Sequence, residues 1–215
     1  MKKQCRKIIF INLIYFILAR NMNNNFRNLN NKNNIKLKLI DDGEASENKC
    51  LKIFSGYEYP DSVYFNGEEI DLQIDGCISL SINDIAEMYI VILEWNKPID
   101  TCEEFFYSLE DIVEIDLSEF DASEVTSMNN MFSGCNNLKS IKFGNINTSS
   151  LIDMYYMFSY CRSLYSLDLS NFDTSKVDSI EGLFFSCTKL SSLNLTNMNT
   201  SQIINMAYIF YDANH

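Results

Sequence analysis

The chain has 215 residues, 47% of them hydrophobic and 13% aromatic, enough for one domain or for one domain plus a small cap. Only 2 prolines and 7 glycines are present, which excludes a collagen-like chain and a chain that is mainly flexible linker. The formal net charge of -12 argues against a general nucleic-acid binder, because phosphate neutralisation needs clustered Lys and Arg; the acidic residues are spread along the chain and read as a solvated surface.

Lys2, Lys3, Arg6 and Lys7 precede an apolar run of 12 residues, Ile8 to Ala19, broken only by Asn12. A helix that crosses a bilayer needs about 20 apolar residues. A basic start, a short apolar core and a small residue predict a secretory signal peptide over residues 1–19, with Ile17 and Ala19 at the third and first positions before the cut. An uncleaved, membrane-associated anchor and a buried helix of the folded domain are the other readings of this segment. An Asn-rich disordered spacer is expected over residues 20–34, where Met22, Phe26 and Leu29 are the strongly apolar members. Residues 35–98 read as a β-rich N-terminal cap. Ile35, Leu37 and Leu39 alternate with lysines, Asn66-Gly67 is a turn dipeptide between Val63-Tyr64-Phe65 and Ile70, and Ile90 to Trp95 is another strand-like run. That last run is expected to join the sheet of the segment that follows.

From about residue 105 the sequence repeats every 26 residues without insertions. Units begin at Met131, Met157, Leu183 and Ile209, and a weaker copy runs from Phe105 to Asn130; before it, Ile99 and Cys102 take the places of Val125 and Met128. One half of each unit has the pattern L-x-x-L-x-L, as in Leu164, Leu167 and Leu169, whose last two members share one face of a strand. The other half places Val125, Met128, Met131, Phe132 and Cys135 on one stripe at helical spacing. Ser150 with Asp153, and Ser175 with Asp178, resemble capping boxes for such a helix. A single unit cannot offset the entropy of ordering itself, so the units must stack. The expected fold is an α/β repeat solenoid of leucine-rich-repeat type over residues 99–215, with a parallel sheet on one side, short helices on the other and an incomplete last unit.

The phrases MFSYCRSLYSLDLSNFDTSKVDSI and LSEFDASEVTSMNNMFSGCNNL resemble the 26-residue surface repeats of BspA-like leucine-rich-repeat proteins, over about half the chain. The resemblance implies an extracellular location and a role in attachment or recognition, and it implies no catalytic residues. Ala213, Gly144 to Asn147 and Met198 depart from the pattern. Phe120, Ile146, Phe172 and Met198 hold the place where many leucine-rich repeats carry Asn, so apolar stacking is expected there in place of an Asn ladder.

Cys135, Cys161 and Cys187 form a column that reads as free buried thiols, since side chains pointing the same way neither bond to one another without strain nor form a tetrahedral metal cage. Cys50 and Cys77 lie in the cap and can form a disulfide. The only histidine is His215, which leaves no basis for a His-based triad or a His-ligated metal, and no Gly-rich phosphate loop is present. No catalytic residue, metal site or cofactor is therefore expected. Glu114, Asp116, Lys139, Lys142, Tyr165 and Asp168 should line the open sheet face as partner-binding candidates, and Tyr155, Tyr156 and Tyr160 lie around the other half of the unit. Asn147, Asn194 and Asn199 are candidate glycosylation sites. The sequence predicts a non-catalytic secreted or cell-surface recognition or adhesion module for an extracellular protein or glycan. A self-associating structural surface protein, pairing end to end, and a fragment of a longer surface receptor are the alternatives.

Overall fold

A computed structural model describes residues 33–40, 49–71, 76–80 and 88–213. The expected signal peptide (1–19) and all of the expected spacer except Asn33 and Asn34 lie outside the described residues. Asn34 opens the first strand. Ten strands are described: β1 Asn34–Ile40, β2 Lys49–Lys52, β3 Ser62–Phe65, β4 Glu68–Ile70, β5 Cys77–Leu80, β6 Met88–Glu94, β7 Ile112–Glu119, β8 Ser140–Lys142, β9 Ser166–Asp168 and β10 Ser192–Asn194.

The expected α/β solenoid, a parallel sheet backed by short helices, is overturned. No α-helix occurs among the described residues. The main sheet is mixed and six-stranded, in the order β4-β3-β6-β1-β7-β8, with only β7 and β8 parallel; β9 and β10 form a separate parallel pair, and β2 and β5 an antiparallel one. The 90–95 run does join the sheet that holds β7 and β8, as part of β6, but not beside them. Strand β1 lies between β6 and β7 and is antiparallel to both, so Ile35, Leu37 and Leu39 enter the core that β7 shares with the repeats. Alternation tells which face of a strand is buried, but not which strand lies beside it.

The helical stripe is buried where its spacing places it: Val125, Met128, Met131, Phe132 and Cys135 have no solvent exposure. Its backbone is not helical, because two residues in every unit, four apart, adopt left-handed φ. These are Glu104 and Ser108, Asn130 and Gly134, Tyr156 and Tyr160, Gly182 and Ser186, and Tyr208 and Asp212, all with φ between 50° and 80°. A left-handed residue ends an α-helix. Alternate N–H groups then turn away from the unit and donate to the next. Met128, Asn130, Phe132 and Gly134 donate to the carbonyls of Asp153, Tyr155, Met157 and Ser159 at 2.8–3.0 Å, and the same four bonds recur at each of the other three unit boundaries. The intervening N–H groups close turns within the unit, as from Met131 to the Met128 carbonyl. Buried backbone polar groups are thus satisfied between units, as in a sheet, and not along a helix.

Side chains lock the units together. Phe106, Phe132, Phe158, Phe184 and Phe210 stack in one column, with centroids 5.4–5.8 Å apart and ring planes within 17°. Buried Thr148 and Thr174 each accept the N–H and donate to the carbonyl of the residue 25 places on, Asp173 and Asn199. Isolated parallel bridges tie Thr101, Ser127, Asp153, Ser179 and Asn205 into a further column. The first unit is sealed by the cap: the Ser55 N–H donates to the Phe105 carbonyl, and Phe54 and Trp95 pack on the Phe105 ring at 4.8 and 5.5 Å.

Candidate binding surface

Of the sheet-face candidates, Glu114, Lys139, Lys142, Tyr165 and Asp168 are exposed and Asp116 is half-buried. Glu114 pairs with Lys38 of β1 at 2.6 Å, and Asp116 with Lys142 at 3.2 Å. Burial would raise the Asp116 carboxyl, but hydrogen bonds from Ser118 and the Lys142 ammonium hold it below the usual carboxylate range. Hydrogen bonds from Ser170 lower the Asp168 carboxyl in the same way. Lys139 is exposed, and Tyr165 is the most exposed ring of the group at 55%.

Asn147 and Asn199 are exposed and Asn194 half-buried. In each of these N-x-S/T triplets the Asn side-chain oxygen accepts the backbone N–H of the Ser or Thr two residues on. They belong to columns of short Asx turns that Asp116, Asp121, Asp168 and Asp173 also form. Phe120, Ile146 and Phe172 are buried, as apolar stacking at that place requires. One residue earlier, an Asn ladder nevertheless runs: Asn171 donates to the Gly144 carbonyl and Asn197 to that of Ser170, both at 2.8 Å.

Cys77 is disulfide-bonded. The backbone of Cys50 in β2 lies opposite Ser79 in β5, while the Cys50 side chain lies outside the described residues. Cys102, Cys135, Cys161 and Cys187 are free and buried. The column has a task that its spacing did not reveal. Cys135, Cys161 and Cys187 donate their thiols to the carbonyls of Phe106, Phe132 and Phe158 in the preceding unit, at 2.9–3.1 Å. Burial pushes the thiols of Cys135 and Cys187 up to about 12, so they remain protonated donors and poor nucleophiles. Among the described residues no group of three or more His, Cys, Asp or Glu side chains could hold a metal ion.

The turn side of the stack presents a different surface. Tyr155 and Tyr156 have ring centroids 4.5 Å apart, Tyr156 and Tyr160 lie 5.9 and 5.2 Å from Phe185, and Phe185 stacks on Tyr211 at 5.1 Å. Tyr208 meets Tyr211 edge-on. Tyr208 and Tyr211 are 57% and 59% exposed. The Tyr156 ring lies across Gly182 of the next unit, where an added Cβ would stand 2.5 Å from the ring atoms. Three of these rings are carried on left-handed backbone: Tyr156 (φ 50°), Tyr160 (φ 58°) and Tyr208 (φ 58°). The units differ here: equivalent positions hold Asn130, Gly134, Gly182 and Asp212, residue types that tolerate this conformation, and also Glu104, Ser108 and Ser186. Carboxylates border the rings. Burial raises the Tyr156 hydroxyl, with Tyr155, Glu181, Tyr208 and Tyr160 adding to the rise, which places Glu181 within electrostatic reach of the cluster. Asp153 receives the Tyr155 N–H; burial raises its carboxyl, and Asp178 and Glu103 raise it further. Arg162 lies over the Tyr160 ring at 5.0 Å.

Sequence reasoning singled out Tyr155, Tyr156 and Tyr160 but missed Phe185, Tyr208 and Tyr211. The 26-residue step was the available signal: Phe185 and Tyr211 share one position, and so do Tyr156 and Tyr208. A family model described as "Mycoplasma protein of unknown function, DUF285" matches residues 100–215. No curated protein and no solved structure matches the chain.

Proposed function

This chain belongs to the family described as Mycoplasma protein of unknown function, DUF285, and from that premise we propose that it is a non-catalytic recognition module, secreted or displayed at the cell surface, whose contact surface is the tyrosine-rich turn side of the repeat stack. The observation that carries this reading is the placement of Tyr156, Tyr160 and Tyr208 on left-handed backbone. Such a conformation costs an ordinary residue about 1–2 kcal/mol, and an aromatic there is worth explaining by what its ring contacts. Tyrosine suits a contact surface, because it offers a large apolar body with a polar tip and few rotatable bonds. The likeness of the repeats to BspA-like surface repeats supports an extracellular setting, as does the basic and apolar start of the chain, Lys2 to Ala19.

The test is binding of the purified full chain to a panel of immobilised extracellular proteins and glycans, beside a Tyr208→Asn/Tyr211→Ala variant. Saturable binding to one class of ligand that falls at least about tenfold in the variant is the expected outcome. Absence of saturable binding across the panel, or equal binding by both proteins, overturns the tyrosine surface as the contact site.

A further inference from the structure

Resting on that reading, we propose that the tyrosine surface takes a cationic protein segment, one rich in lysine or arginine. Exposed tyrosine rings attract cations through the negative face of the π-system. Asp153 accepts the Tyr155 N–H at 2.8 Å, and Glu181, whose carbonyl accepts the Tyr156 N–H at 2.9 Å, takes the Asn205 amide on its carboxylate; Asp178 and Glu103 add to the proton affinity that burial gives Asp153. Crowded like charges raise one another's proton affinity, and an incoming cation relieves that repulsion. The chain as a whole carries -12, so long-range attraction steers a basic partner toward it and an acidic one away. The contact already exists in miniature within the molecule: the Arg162 guanidinium sits 5.0 Å above the centre of the Tyr160 ring. An apolar partner would use the rings and leave the bordering carboxylates with neutral donors, the Tyr155 N–H on Asp153 and the Asn205 amide on Glu181, whereas a lysine- or arginine-rich segment uses both rings and charges.

The experiment is isothermal titration of the full chain with a nonaarginine peptide, with a nonaglutamate peptide and an uncharged Gly-Ser peptide as comparisons. Two variants accompany it. Tyr160→Asn/Tyr208→Asn removes two rings at unchanged net charge and substitutes a residue that accepts left-handed φ, so the fold is retained; circular dichroism and the melting temperature check this. Glu181→Gln removes one bordering carboxylate. The expected result is saturable nonaarginine binding that weakens about tenfold in the tyrosine variant and by a smaller factor in Glu181→Gln, with no binding of the comparison peptides. Equal affinity of wild type and tyrosine variant would show generic attraction to an acidic chain and overturn the proposal, as would failure of nonaarginine to bind. If nonaarginine fails while the tyrosine surface still governs binding to a neutral or acidic ligand of the panel above, the cationic partner falls and the recognition module stands. If the tyrosine variants alter neither assay, both fall.

Discussion

Residues 127–152 and 153–178 are two copies of one backbone that differ in what they place on it. The first puts Asn130 and Gly134 at its left-handed turns, and the second puts Tyr156 and Tyr160 at the same two places. Both copies make the same four bonds to the following unit, keep the same inward Met, Met, Phe and Cys, and continue the same ring column. The backbone is therefore set by the stack, and the choice of residue at a left-handed turn is left to other demands. Asn130 and Gly134 suit the conformation; Tyr156 and Tyr160 strain it in return for an aromatic surface.

The largest perturbation should strike what the two copies share. Phe158→Ala opens the middle of the ring column, where Phe132 and Phe184 lie 5.5 and 5.7 Å away, and a loss of about 3–5 kcal/mol is expected in urea unfolding. Cys161→Ala removes the thiol hydrogen bond to the buried Phe132 carbonyl, which keeps the Cys135 N–H, and should cost about 0.5–1.5 kcal/mol. Chemical oxidants should leave the same thiol untouched in the folded chain, as mass spectrometry would read.

The next pair sharpens the contrast by exchanging the two solutions. Gly134→Ala meets Ser108 Oγ at 2.8 Å on a φ of 80° and should destabilise by about 1 kcal/mol or more. Tyr208→Gly relieves the strain in the opposite direction and should gain up to about 1 kcal/mol, a melting temperature higher by about 2–4 °C. A decrease on Tyr208→Gly would mean that the ring stabilises the fold and that no strain is held at this turn.

The smallest effect concerns charge. The folded pKa of Asp153 is raised, by burial first and then by Asp178 and Glu103. A raised carboxyl favours the folded state when protonated and opposes it once pH rises through the folded value. Asp153→Asn, which copies Asn205 of the same column, should therefore raise the melting temperature slightly at pH 7, and the gain should vanish as pH falls below the ordinary Asp range. Asp116 behaves with the opposite sign: its folded pKa is lowered, so its contribution is present above the ordinary Asp range and lost as pH falls through the folded value.

The repeat, the inward stripe and the strand positions were legible because burial imposes a period on side-chain type. The conformation of the turn half was not. Glu104, Tyr156, Tyr160 and Tyr208 carry no turn signature, and Asn130, Gly134, Gly182 and Asp212 are too few to mark both left-handed residues in every unit. A stripe spaced for a helix is equally well buried by a chain that turns every few residues, so periodicity alone selects the wrong backbone. The insertion of β1 beside β7 was hidden for a related reason, since Ile35, Leu37 and Leu39 would face a core with either neighbour. Of the candidate surface, the tyrosines of one unit were visible in sequence, but only stacking brings Phe185 and Tyr211 beside them.

The four bonds that recur in the turn half at each boundary run one way. There each unit offers N–H groups to the unit after it and carbonyls to the unit before, while at the edge of the turn Thr126, Ile152, Asp178 and Ile204 donate in the opposite sense. The peptide dipoles along this ribbon therefore add, as they do along a helix, and the stack has a sense, like a screw thread. The carbonyl end is plugged by Ser55, and the forward places of the last described unit belong to Met206, Tyr208 and Phe210. Units of this kind can be shuffled or multiplied within an array only in the same orientation, because an inverted unit would set donors against donors. Duplicating 26 residues keeps that orientation automatically. The number of units, and with it the spacing of aromatic patches along the turn side, can then change through gene-level copying without redesign of any existing boundary.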